Sequence, residues 1–204
     1  MTYLVLTGDI VESSDMSVDA LNDVMKALSS AARQMSGWNH SDHDKTVSAF
    51  AQNPYFSRRG GDGWQILLSR PEFSLRAALF LQACLRSLHE DYATRIAAAI
   101  GEGELPQDAR ADLNAAYGPV FQASGRLLET LSGRTRMAYA DGGALDAAFR
   151  LADHISQGWT QAQARALYAM LPPGSGPRRI VAEQLGISRQ AVDQALWAAG
   201  YPAI

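Results

Sequence analysis

Apolar and polar positions change period several times along the chain, and each change marks an element. Residues 2–8 alternate and are rich in β-formers, which predicts a strand stopping at Gly8-Asp9. Val18, Leu21, Met25, Leu28, Ala32 and Met35 then recur at helical spacing, and Gly37 closes that helix. Trp38 to Lys45 is polar and aperiodic and reads as a loop; its His40, Asp42, His43 and Asp44 are metal-capable side chains that a solvated loop explains equally well. Two strands flanking Gly60-Gly61-Asp62-Gly63 form a hairpin, with Trp64 to Leu68 as the return arm. Ser69-Arg70-Pro71-Glu72 reads as a capping box that opens a helix over 71–90. Arg95 to Gly101 is a short apolar strand, 119–131 a helix, and Arg134 to Ala140 a final strand.

Strands interleaved with helices in this way predict an α+β domain, one sheet covered by helices. The layout resembles the ferredoxin-like core of palm and cyclase domains. A boundary is expected near Ser156-Gln157-Gly158, dividing residues 1–156 from a small all-α module at 157–204. In that module Trp159-Thr160 reads as a hydrophobic staple with an N-cap, and Leu171-Pro172-Pro173-Gly174-Ser175-Gly176-Pro177 breaks the helix that follows.

Residues 180–196 have helix-turn-helix spacing. Ala182 is small where two helices would cross, Gly186 permits a left-handed turn residue, and Ser188 caps the second helix. Leu185, Ile187, Val192 and Leu196 are expected to point inward. Arg189, Gln190 and Gln194 would then face the major groove of double-stranded DNA, where arginine suits guanine and glutamine suits adenine. Arg178 and Arg179 open the preceding helix and are placed for phosphates.

Charge and composition change this picture little. The chain of 204 residues is 47% hydrophobic with net charge −3. Residues 158–204 carry four arginines against one glutamate and one aspartate, a net +2 that leaves −5 on the remainder. A basic tail on an acidic body permits a phosphate partner. The single cysteine, Cys84, excludes an internal disulfide and lies in the stripe Ala77, Leu81, Cys84, Leu85, Leu88, so a buried structural thiol is expected. Tyr3 to Leu6 is too short for a leader or a membrane span, which suits a cytoplasmic protein. His89 and His154 fall near helix C-termini, where imidazolium complements the dipole.

Four segments carry candidate chemistry, in an order that matters: Gly8-Asp9-Ile10-Val11, Gly60-Gly61-Asp62-Gly63-Trp64, Arg95 to Glu102, and Gly118 to Leu127. Asp9 and Asp62 each follow an apolar run, as a site for Mg²⁺-bound phosphates requires. Gln122 and Arg126 lie four residues apart on one helical face. In this the chain resembles the class III nucleotidyl cyclases and their diguanylate-cyclase relatives. Gly8-Asp9-Ile10-Val11 is similar to their first metal motif. Arg58-Arg59-Gly60-Gly61-Asp62 is similar to their Lys-x-x-Gly-Asp element. Gly118 to Leu127 is similar to their Gly-x-x-Val-Asn-x-Ala-Ser-Arg-Met helix.

The resemblance implies that Asp9 and Asp62 hold Mg²⁺ or Mn²⁺, and that Gln122 orients a ribose while Arg126 neutralises phosphate charge. It also implies nucleotide contacts from Ile10, Arg58, Gly60, Gly61 and Gly63, and a homodimer in which Gln122 and Arg126 face the aspartates of the second copy. Arg58 and Ala115 stand where purine cyclases carry their base-reading lysine and aspartate, and Gln122 replaces an asparagine. Such changes affect turnover more than binding. The whole architecture resembles the SatD family, on Gly61-Asp62-Gly63-Trp64-Gln65, Gly118-Pro119-Val120-Phe121, Trp159-Thr160, Leu185-Gly186-Ile187-Ser188 and Tyr201. Its usual Gly-Asp-Glu-Phe-Gln is Gly-Asp-Gly-Trp-Gln here, one carboxylate fewer. The reading carried forward is a DNA-binding regulator whose cyclase-like domain binds nucleotide; the alternative is an active cyclase with an accessory tail.

Overall fold

The computed structural model describes residues 1–39, 55–105 and 113–204. The histidine-aspartate run from His40 to Asp44 lies outside the described residues. One five-stranded sheet organises the chain, in the order β2-β3-β1-β4-β5: β1 is Thr2–Ile10, β2 Tyr55–Arg59, β3 Gly63–Leu68, β4 Thr94–Glu102 and β5 Met137–Tyr139. All neighbours are antiparallel except β4 and β5.

Alternation along β1 divides the sheet into two buried faces. Leu4, Leu6 and Ile10 share the larger core with α1 (Val18–Ser36), α2 (Ser74–Leu88) and α4 (Gly143–Gln157). Val5 packs on the other face against Val120 and Phe121 of α3 (Pro119–Thr130). Helix α1 is capped by the Ser17 hydroxyl, which accepts from the Ala20 amide, and it buries Val24, Leu28, Ala31 and Met35 along one stripe. Helix α2 is buried nearly all round because helices flank it on several sides; Phe80 and Leu81 are fully enclosed. A side chain of that size contributes about 1.5–3 kcal/mol on burial.

The C-terminal helices α5 (Gln161–Met170), α6 (Arg178–Leu185) and α7 (Arg189–Ala198) continue the larger core. Thr160 and Gln163 form a capping box at the start of α5. The Tyr168 ring stacks on Phe80 with centroids 4.6 Å apart. Arg76 donates to the Leu171 carbonyl, and Gln161 donates to that of Leu88. None of the described helices is long and apolar enough to cross a membrane.

Several expectations need correction. Ser69 does not open a helix: Pro71–Phe73 forms a 3-10 turn, and α2 begins at Ser74 with no side-chain cap. The last strand shrinks from Arg134–Ala140 to Met137–Tyr139, while β1 extends through Ile10. Helix α4 was expected only as far as a helix C-terminus near His154; its extent, Gly143–Gln157, was not. Trp38, read as loop, is buried edge-on against Phe80, centroids 5.2 Å apart. Ile187 is 44% exposed and Leu185 only half-buried, because Ile187 directly follows the left-handed Gly186 and no longer obeys helical spacing.

Candidate functional site

The sheet delivers the expected aspartates to one end. Asp9 lies opposite Gly63 of β3 and Arg95 of β4, and Asp62 is the turn residue next to Gly63. Asp9 shares its face of β1 with Val5 and Thr7, the face that α3 covers. Arg95 alternates onto the same face, and its guanidinium engages both carboxylate oxygens: Nε donates to Oδ1 at 2.7 Å and Nη2 to Oδ2 at 2.5 Å. Nη1 donates to the Leu131 carbonyl at the end of α3. Asp62 is engaged separately, its Oδ2 accepting from the Ser13 hydroxyl at 2.5 Å. Ser13 is aimed there by Glu12, whose left-handed backbone (φ 54°) turns the chain sharply after β1.

Arg95 was not among the expected site residues. Part of its signal lay in the sequence, since in a strand of period two Arg95, Ala97 and Ala99 share one face and only Arg95 is charged; its partner across the ladder did not. The arrangement does not fit a divalent-cation site. Both Asp9 oxygens are committed to a fixed cation, and Gly63 offers no carboxylate where a third ligand would help. Among the described residues no group of three or more His, Cys, Asp and Glu side chains comes together as a metal set.

The glycine turn is closed by its own neighbours. Arg58 Nε donates to the Gly61 carbonyl at 2.7 Å and its Nη1 to Asn22 Oδ1 at 2.9 Å, so this side chain points toward α1. It borders an open cleft of about 460 Å³ with Asp19, Asp23 and Lys26. Gly60 takes a left-handed conformation (φ 61°), whereas Gly63 is needed for space, since a Cβ there would stand 2.5 Å from the Arg59 carbonyl oxygen. The Ile10 side chain is 3% exposed and belongs to the core.

On α3, Val120, Phe121 and Ser124 turn inward, Ser124 sharing a hydrogen bond of 2.8 Å with Thr7, which also accepts from Gln65. Gln122 and Arg126 sit on the opposite, exposed side of the helix. Among the described residues Arg126 reaches only the Gln122 carbonyl, at 3.4 Å. Within one chain, then, Asp9 and Asp62 come to a common sheet end, and Gln122 and Arg126 do not join them.

Helices α6 and α7 and the turn between them form where the spacing predicts, apart from the outward-turned Ile187 and the half-buried Leu185. Gly186 is left-handed (φ 66°, ψ 30°), and Ala182 and Val181 are buried at the helix crossing. The Ser188 hydroxyl accepts from the Ala191 amide and starts α7. Val192 and Leu196 are fully buried, which leaves Arg189, Gln190 and Gln194 exposed. Arg178 is less free than expected: its Nη1 donates to Asp193 Oδ1 at 2.6 Å and ties α6 to α7. Arg179 pairs with Glu183 on the surface. Arg189 stands 3.7 Å from Asp193 at 73% side-chain exposure, a weak and screened contact.

No protein-family model matches this chain, and no curated protein sequence is significantly similar to it.

Proposed function

We propose that the protein is a DNA-binding regulator of the SatD type, in which α6 and α7 read duplex DNA and the sheet domain is a cyclase-like body that has given up metal catalysis. The observation that carries this reading is the first turn of α7. Its cap is formed, its apolar side is buried, and Arg189, Gln190 and Gln194 project from one exposed face with no strong partner among the described residues. That is the geometry with which a recognition helix enters a major groove.

The ferredoxin-like relationship finds support in the topology: β1, α1, β2, β3, α2 and β4 follow in sequence, and the antiparallel strands lie in the order β4-β1-β3-β2. The enzyme reading loses ground at Asp9, which is neutralised by Arg95. Exposed Gln122 and Arg126 leave α3 able to face a second copy, and a two-fold dimer would match a palindromic DNA site. The test is a fluorescence-anisotropy titration of the full chain against its own promoter region and a scrambled duplex. Arg189→Ala should cost about 1–3 kcal/mol of discrimination between them without disturbing the fold. Equal and negligible binding of both duplexes by the unaltered protein overturns the proposal.

A further inference from the structure

We propose that the cleft between residues 134–136 and the last turns of α4 binds a small ligand carrying two or more phosphate groups. The cleft measures about 700 Å³, within the range of small-molecule sites. Arg134, Arg136, Arg150 and His154 line it, with one acid, Asp153. That acid is spent on construction. It is 3% exposed; its Oδ2 accepts from the Arg136 backbone amide at 2.8 Å, and its Oδ1 accepts from Gln157 at 3.0 Å. The same Gln157 amide donates to the Arg134 carbonyl at 2.7 Å. The backbone that presents Arg134 and Arg136 is thus pinned to α4 at both residues.

Their side chains are left over. Among the described residues neither guanidinium has a hydrogen-bond or ion-pair partner, whereas Arg150 is held by Asp146 at 2.7 Å. A further arginine adds to the crowding: Arg86 is held below its ordinary pKa first by burial and then by the charge of Arg136. Uncompensated guanidinium charge, gathered in a concave surface of a chain with net charge −3, calls for a multivalent anion. Phosphate groups suit the planar fork of arginine, and a pinned backbone lowers the ordering cost of binding.

The position argues for a small ligand over a DNA backbone. Gly158 borders the cleft, and the next residue, Trp159, donates its Nε1 to the Ala199 carbonyl at 2.9 Å. Ala199 is the C-terminal end of α7, the opposite end from Ser188 and Arg189. A ligand here would press on the seam that holds the rear of the reading helix; this effector role rests on the DNA-binding reading above, while the binding site itself does not.

The experiment is calorimetry and thermal-shift titration of the full chain with inorganic pyrophosphate, ATP and GTP, each without divalent metal, alongside the variant Arg134→Gln/Arg136→Gln. Both side chains reach solvent, so the variant keeps the fold, checked by circular dichroism. Wild type should bind at least one probe, and the double variant should lose about a hundredfold in affinity, roughly tenfold for each arginine. No binding of any probe at millimolar concentration, or undiminished binding by the variant, overturns the proposal. Loss of duplex-DNA affinity in the variant, with no pyrophosphate or nucleotide bound by wild type, reassigns the cleft to the DNA backbone and also overturns it. Arginine-dependent pyrophosphate binding by a protein that ignores all DNA supports the site and removes the helix-turn-helix reading instead.

Discussion

Arg95 holds Asp9 by two parallel hydrogen bonds across the β1–β4 ladder, and its remaining nitrogen fastens the end of α3 through Leu131. One guanidinium thus joins two strands and the helix that covers them, at the sheet end where the sequence suggested a metal. The Asp9 side chain is 19% exposed and that of Arg95 38%, so the pair is partly screened. Asp9→Asn, which keeps the shape and removes the charge, should cost about 1–2 kcal/mol in urea denaturation.

Millimolar Mg²⁺ should leave the melting temperature of the unaltered protein unchanged, because the carboxylate it needs is already neutralised. A rise of several degrees would mean that the cation displaces Arg95. The variant Arg95→Ala provides the contrast: with Asp9 released, Mn²⁺ should bind weakly but measurably by calorimetry, and clearly more tightly than to wild type.

Gly8→Ala should be among the most damaging single changes in the sheet. A Cβ at Gly8 would lie 2.3 Å from both the Arg95 carbonyl oxygen and Cζ2 of Trp64. Trp64 cannot move aside, because it is fully buried and its Nε1 donates to Thr94, whose hydroxyl in turn donates to the Asp9 carbonyl. The expected loss is about 3 kcal/mol, measured by chemical denaturation and accompanied by a shift in Trp64 fluorescence.

Stability should fall in alkali. Burial raises the Cys84 thiol from 9.0 to about 11; burial and then the neighbouring Cys84 raise Tyr168 from 10.0 to about 12. Both folded-state values lie above the unfolded ones, so the folded state holds these protons more tightly. Their contribution is complete below about pH 9 and is lost as pH rises through about 11 to 12. Urea midpoints should decline across that window, and less steeply in Cys84→Ala. The thiol should also resist a disulfide reagent near neutral pH until the protein is unfolded.

Arg178 and Arg179 should separate in their effects on DNA binding. Arg179→Ala removes an exposed charge and should weaken all duplexes alike while lowering the salt slope by about 1. Arg178→Ala also unpairs Asp193, which sits 3.7 Å from Arg189 and would then compete with the DNA for it. The Arg178 variant should therefore lose more specificity than the Arg179 variant. Asp193→Asn should strengthen binding to every sequence, read out by anisotropy at two salt concentrations.

Local signals were the ones that could be read from the chain. Helix α1, the β2–β3 hairpin, α3 and the helix-turn-helix each announce themselves within a few residues, by spacing, by Gly60 or Gly186, or by a cap such as Ser188. The start of α4 was harder to see, because Gly142 and Gly143, both at positive φ (66° and 69°), interrupt the chain just before the Leu145, Phe149 and Ala152 stripe. Pro71 fits a first helical turn equally well whether that turn is 3-10 or α, which is why the start of α2 was misplaced. The partnership of Arg95 with Asp9 spans 86 positions and follows only from antiparallel register, which no single segment encodes. The aspartates could be assigned to one sheet end in advance; what neutralises one of them could not.

Trp159 fastened to Ala199, and Tyr168 stacked on Phe80, leave α7, the helix proposed to read DNA, no swivel of its own. Two copies joined through their sheet domains would act as a caliper with a locked jaw. Inserting about five base pairs between half-sites, half a turn of B-DNA, would rotate one of them to the far side of the duplex, and the protein could not follow.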